Sequence, residues 1–171
     1  MRLVKRSDWG AARARGRERL DPDRVRGVAL HYSGMNSDEQ ADHRTCAGRV
    51  RSMQRYHMQE RGWLDVAYGH VVCRHGYVFV GRGFGVRSAA NGTKAANDRF
   101  FAVCFLGDDS RGRADITPAA YAALGELLRS YDRRIPRAMR VRPHSDFVAT
   151  PCPGDELRVY IARKAWISTR P

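Results

Sequence analysis

WLDVAYGHVVCRHGYVFVGRG, residues 63–83, holds two runs rich in Val, Tyr and Phe on either side of a tight-turn signal. Ala67 to Cys73 and Tyr77 to Gly81 read as strands and Arg74-His75-Gly76 as the turn of a hairpin. Branched and aromatic side chains suit a pleated, half-buried surface, and glycine supplies the backbone freedom the turn needs. Working outward, Val25 to His31 is a short apolar strand that runs into polar and small residues at His31-Tyr32-Ser33-Gly34, and Phe100 to Leu106 is a further apolar run. Helical patterns lie between the strands. Ser37 with Gln40 has the form of a capping box, and Val50, Met53 and His57 recur at helical spacing before Gly62, which predicts a helix from about Asp38 to Arg61. Thr117-Pro118 offers an N-cap and a first-turn proline to a helix whose Leu124, Leu127, Leu128 and Tyr131 share one face, ending before Pro136. A last helix is expected from about Gly154 to Lys164. Strands interrupted by helices in so short a chain predict an α/β fold with a mixed central β-sheet flanked by helices, and loops at the strand ends are the natural site positions.

A chain of 171 residues with 43% hydrophobic content can bury a core of its own, and it has neither internal repeats nor a low-complexity linker. One domain spanning residues 1–171 is therefore expected. Thirty-one Lys and Arg against 18 Asp and Glu leave a net charge of +13, a field that attracts polyanions: nucleic acid, anionic lipid or anionic wall polymers. An Arg-rich solvated surface yields the same count, so charge alone does not choose a partner, and no nucleic-acid-binding motif accompanies it. No apolar run approaches the ~20 residues needed to cross a bilayer. The opening MRLVKRSDWG is basic without an apolar signal core behind it, so the expectation is a protein made in the cytoplasm.

Cys46, Cys73, Cys104 and Cys152 are widely spaced and form no CxxC pair, which argues against a disulfide framework. Cys73 and Cys104 sit in apolar runs and read as buried strand cysteines. Cys152 lies between two prolines in TPCPG, a rigid loop that offers little packing reason for a thiol. His31, His144 and Cys152 together supply two imidazoles and a thiolate, a set that suits tetrahedral zinc and leaves one position open. Lone histidines more often belong to surface or core, and the His-to-Cys spacing is not a general metal motif, so spacing leaves both readings standing. His57, Trp63 and Met53 read as core or core-edge residues, and His43, His70 and His75 as partly exposed.

HYSG (31–34), YHMQERGWLDVAYGHVVCRHGYVFVGRG (56–83) and HSDFVATPCPGDEL (144–157), in this order, resemble the peptidoglycan recognition protein and type 2 amidase family, which includes short phage endolysins. The likeness runs from SDWGA at 7–11 to the last helix. It implies a single zinc ion on His31, His144 and Cys152 at the sheet surface, a catalytic tyrosine at Tyr68 and a contributing hydroxyl at Thr150. The activity implied is hydrolysis of the lactyl–L-alanine amide of peptidoglycan, an N-acetylmuramoyl-L-alanine amidase used for cell-wall lysis, with the positive charge holding the enzyme on anionic wall. Such an enzyme made in the cytoplasm would reach the wall through lysis, a pore or delivery.

Asp146 is read as either a partner to a metal-binding imidazole or a loop cap. Asn91, Thr93, Lys94 and Asn97, in the loop after the hairpin, are candidate groove residues for substrate. Tyr32 and Gly69-His70 depart from the residues common in the family and bear on metal tuning and substrate contacts. Cys46 lacks the earlier cysteine with which animal members form a disulfide, so a free thiol is expected. The main alternative is a module that binds peptidoglycan without cutting it, which Cys152 argues against. Two further rivals are a thiol amidase with Cys152 as nucleophile and His144 as base, and a basic nucleic-acid-binding protein.

Overall fold

The computed structural model describes residues 1–35, 42–110 and 116–167. Six strands form one sheet: β1 (Arg2–Val4), β2 (Gly27–Tyr32), β3 (His70–Cys73), β4 (Tyr77–Val80), β5 (Phe100–Leu106) and β6 (Arg140–Pro143), in the spatial order β1-β4-β3-β5-β2-β6. The β3–β4 hairpin is antiparallel, whereas β1–β4, β3–β5, β2–β5 and β2–β6 pair in parallel, so the sheet is mixed as expected. Among the described residues four α-helices accompany it: α1 (His43–Gln59), α2 (Lys94–Asn97), α3 (Pro118–Asp132) and α4 (Asp155–Ala162).

Central β5 is buried along its whole length, because helices cover both faces of the sheet. On one face Val28, Leu30, Phe101, Val103 and Phe105 pack against Leu124, Leu127 and Leu128 of α3 and Leu157 and Tyr160 of α4. On the other, Val71, Cys73, Phe79, Cys104 and Leu106 meet Cys46, Val50 and Met53 of α1 together with the fully buried Trp9, whose indole N–H donates to the Val80 carbonyl at 2.9 Å. Each fully buried aliphatic or aromatic side chain contributes about 1.5–3 kcal/mol by removal from water. Side chains alternate between faces along a strand, so His31, in register with Cys104, points to the α1 side while its neighbour Leu30 faces α3.

Several boundaries differ from expectation. The first helix begins at His43, capped by Asp42, whose side chain accepts from the Arg44 N–H, and it ends at Gln59 rather than Arg61. The capping box at Ser37 and Gln40 falls outside the described residues. The Val25–His31 strand becomes Gly27–Tyr32, because a short 3₁₀ turn at Pro22–Arg24 precedes it. Residues 67–69 are not strand: Tyr68 lies in the loop entering β3, and at Gly69 a Cβ would come within 2.8 Å of the Tyr131 hydroxyl. The α3 prediction is met at its start, where Thr117 Oγ1 accepts from the Ala120 N–H ahead of Pro118. Among the described residues, no helix is long and apolar enough to cross a membrane.

Candidate metal centre

His31 is next to last in β2, whose hydrophobic residues bury the strand and carry the imidazole with it to 2% exposure. Residues 144–154 return the chain to the same place: β6 pairs with β2 in parallel, a 3₁₀ turn at His144–Asp146 follows, and the Cys-Pro-Gly turn leads into α4. Gly154 is required at the end of that turn. Its φ is +94°, and a Cβ there would lie 2.1 Å from the Asp109 carbonyl oxygen. Asp109 in turn accepts the Asp155 N–H on its backbone oxygen and the Leu157 N–H on its carboxylate, anchoring the first turn of α4 beside Cys152. Burial raises this carboxyl to about 6.

The metal-ligating atoms of His31, His144 and Cys152 all lie within 4.8 Å of one another. Cys152 Sγ is 3.8 Å from His31 Nδ1, and the two imidazole rings are 4.4 Å apart. Asn91 fixes which nitrogen of His31 is available. Its amide nitrogen donates to the Phe100 carbonyl at 2.8 Å and also faces the Ala96 carbonyl and Ser88 Oγ at 3.3 Å, which turns Oδ1 to His31 Nε2 at 2.9 Å. The network assigns the proton to Nε2 and leaves the Nδ1 lone pair facing Cys152. Nε2 of His144 is buried with no hydrogen-bond partner. An orphaned buried polar atom costs about 1–3 kcal/mol, and a metal ion would satisfy it. Burial, then the charge of His144, pushes His31 down to about 3, and burial lowers His144, so both rings stay neutral at ordinary pH, the form that ligates. Burial pushes the Cys152 thiol up to about 11, while the Tyr32 N–H, 3.4 Å from Sγ, offers a hydrogen bond to a thiolate. Two neutral imidazoles, a sulfur with a backbone donor and an orphaned nitrogen fit zinc with one position open.

The cluster lies in the floor of a cleft of about 750 Å³, large enough for a peptide-sized ligand. Tyr68 lines it, partly buried, its ring 5.4 Å from that of His31, and burial keeps its phenol protonated well above its ordinary value. Thr150 also lines it and accepts the Cys152 N–H on Oγ1 at 3.2 Å. Thr93, the exposed N-cap of α2, and Asn97, largely buried, reach the wall, as does Lys94, paired with Asp98 at 2.8 Å.

The expectation for Asn91 as a groove residue is corrected: it is wholly buried and acts on His31 from behind. Asp146 meets neither of its expected roles. Its carboxylate pairs with Arg142 at 3.1 Å. His70, expected to be partly exposed, is buried against α3 with Nδ1 2.7 Å from the Tyr131 hydroxyl. Tyr32 lines the cleft and His70 does not, so only one of the two family departures reaches the site. His57, read as core-edge, is buried yet also lines the cleft, held by the Ala67 N–H at 3.1 Å, and Arg61, Trp63 and Arg87 join it. Their distance in sequence from the ligands hid them; nothing short of the packing of α1 over the strand ends reveals them.

A mixed six-stranded sheet flanked by helices, with a His-His-Cys cluster able to hold a metal ion at its strand ends, defines an α/β protein of the peptidoglycan-amidase class. Residues 21–155 match the family described as N-acetylmuramoyl-L-alanine amidase, and the chain belongs to it. It is 35% identical over 158 residues to human N-acetylmuramoyl-L-alanine amidase, covering 89% of this chain and 26% of that protein. The chain thus spans about a quarter of the length of that relative. It is 30% identical to mouse peptidoglycan recognition protein 1, covering 96% of this chain and 87% of the relative. Among solved structures, wild-type Drosophila PGRP-LB superposes with a TM-score of 0.80 at 29% identity, over 99% of this chain and 94% of that one. A tyrosine-to-phenylalanine mutant of PGRP-LB, in complex with tracheal cytotoxin, gives 0.79 at 28% identity over the same shares.

Proposed function

We propose that the protein is a zinc-dependent N-acetylmuramoyl-L-alanine amidase that releases stem peptides from peptidoglycan. The observation that carries this is the convergence of the ligand atoms of His31, His144 and Cys152 in the floor of an open cleft beside Tyr68. When bound there, zinc supplies Lewis acidity and a water whose pKa falls to about 7. His31 and His144 would hold the ion as neutral rings with Cys152, and Asn91 keeps His31 in the tautomer that ligation needs. The Tyr68 hydroxyl, kept protonated by burial, donates to the oxygen of the scissile carbonyl as negative charge builds on it. Thr150 holds the Cys152 turn and turns a hydroxyl to the cleft, where it can orient the carbonyl.

The cysteine raised to about 11 is a poor nucleophile at neutral pH, which disfavours a thiol amidase, and a recognition module needs no thiol at the cleft floor. The +13 charge supports retention on anionic wall polymers and a role in wall lysis, as in a phage endolysin. The test is digestion of purified peptidoglycan, with mass spectrometry of the soluble fragments before chelation, after it, and with zinc restored. Stem peptides beginning with L-alanine, lost on chelation and recovered with zinc, are expected. Binding without release would make the protein a recognition module, and release that survives chelation would transfer the chemistry to the thiol.

A further inference from the structure

A second cluster of ligating side chains lies outside the cleft. His43 opens α1 and Cys46 follows one turn later on the same face; Cys73 closes β3 and His75 sits in the hairpin turn two residues on. The ligand atoms of the four lie within 4.8 Å of one another. Cys46 Sγ is 3.6 Å from His75 Nδ1, and Cys73 Sγ is 3.9 Å from Nδ1 of both His43 and His75. Zinc bonds of 2.3 Å to sulfur and 2.0–2.1 Å to nitrogen at tetrahedral angles place S and N about 3.6 Å apart, so contraction by a few tenths of an ångström closes the site. Both thiols are wholly buried and neither is in a disulfide. Stacking on Tyr77, with ring centroids 3.4 Å apart and planes 14° from parallel, holds the His43 ring in place.

We infer that His43, Cys46, Cys73 and His75 form a second, structural zinc site that fastens the start of α1 to the β3–β4 hairpin. Two thiols and two imidazole nitrogens aimed at one point serve no packing purpose that Val or Leu would not serve better, whereas Cys₂His₂ is a complete tetrahedral set for a borderline-soft cation. All four positions are filled by protein, so the site is closed to water and substrate. Its effect on the cleft is through scaffold: α1 ends beside the cleft wall with His57, and the hairpin follows directly from Tyr68. The His-x-x-Cys and Cys-x-His spacings are both present in the sequence. They read as partly exposed histidines, a buried strand cysteine at 73 and a free thiol at 46 until the hairpin packs against α1.

The measurement is zinc content by elemental mass spectrometry of protein purified without chelator. Two ions per chain are expected for the wild type, one for Cys152→Ser/His144→Ala, and one for Cys46→Ser/Cys73→Ser. The first variant disables the cleft, so the zinc it retains reports on this cluster whether or not the cleft is an amidase centre. Should the double serine variant fail to fold, cobalt loaded into Cys152→Ser/His144→Ala reads the same site: thiolate-to-cobalt absorption is expected, weakened by His75→Ala. A metal-free Cys152→Ser/His144→Ala protein, a cobalt adduct without thiolate absorption, or a Cys46–Cys73 disulfide found by peptide mapping would each overturn the inference.

Discussion

Replacing Asn91 with alanine strikes the proposed cleft metal site without touching any of its three candidate ligands. The side chain is wholly buried; Oδ1 accepts from His31 Nε2 at 2.9 Å and Nδ2 donates to the Phe100 carbonyl at 2.8 Å. Asn91→Ala leaves the His31 Nε2–H without its acceptor and leaves the Phe100 carbonyl with only the Ser88 hydroxyl, at 3.4 Å, so the metal-free variant should lose about 1–3 kcal/mol of stability for the orphaned imidazole N–H. The imidazole also loses the acceptor that fixes its tautomer and raises its basicity, a change that weakens metal binding by about 10–100-fold. That is about 1.4–2.7 kcal/mol of binding free energy. Zinc affinity is measured by competition with a chromophoric chelator, using Cys152→Ser/His144→Ala as the blank for zinc held elsewhere. Unfolding of the chelated protein in urea supplies the stability. A folded Asn91→Ala protein whose cleft binds zinc within about twofold of wild type would show that the Asn91 contact does not tune the ligand, and the tautomer assignment would fail with it.

Tyr68→Phe should keep its zinc and slow stem-peptide release by about 10²-fold, the scale of losing one donor to a developing oxyanion; normal turnover would remove Tyr68 from the chemistry. Burial, then the charge of Arg134, lowers His70 from 6.5 to about 4. The folded state resists protonation that the unfolded chain accepts, so this contribution to stability is intact above about pH 6.5 and is lost as pH falls toward 4. At 1.36 kcal/mol per unit the loss by pH 4.5 is about 2–3 kcal/mol, and His70→Gln should flatten the urea-midpoint profile between pH 7 and 4.5 relative to wild type. Gly154→Ala forces a Cβ against the Asp109 carbonyl at a φ of +94°. It should lower stability by at least about 2 kcal/mol and reduce zinc content at the cleft, and a variant with unchanged Tm and zinc would mean that the turn relaxes freely.

Much of the scaffold is legible locally. Phe100 to Leu106 is apolar without a break because β5 is covered on both faces, and Thr117-Pro118 starts α3 through contacts within one turn. The hairpin follows from a glycine between two branched and aromatic runs, Gly76 taking a φ of +77°. The edge strands β1 and β6 are not legible. They are three and four residues long, with no apolar run or alternation long enough to mark a strand, and they become strands only because β4 and β2 present unpaired edges to them. The candidate metal set is legible as two imidazoles and a thiol whose residue types suit zinc, but only the resemblance carried by short runs such as HYSG and C-P-G singles it out from ordinary surface or core residues.

What the sequence by itself determined, then, are the interactions that close within a few residues: helix caps, turns, and the alternation or continuity of apolar side chains. What only tertiary structure decided is which distant groups share a point in space. Cys152 reaches His31 across 121 residues, Asn91 reaches it across 60, and Cys73 reaches His43 across 30. Parallel pairing of β2 with β5 and β6 closes those long loops, and the free energy that offsets their closure is the burial of the whole sheet rather than any signal near the residues themselves.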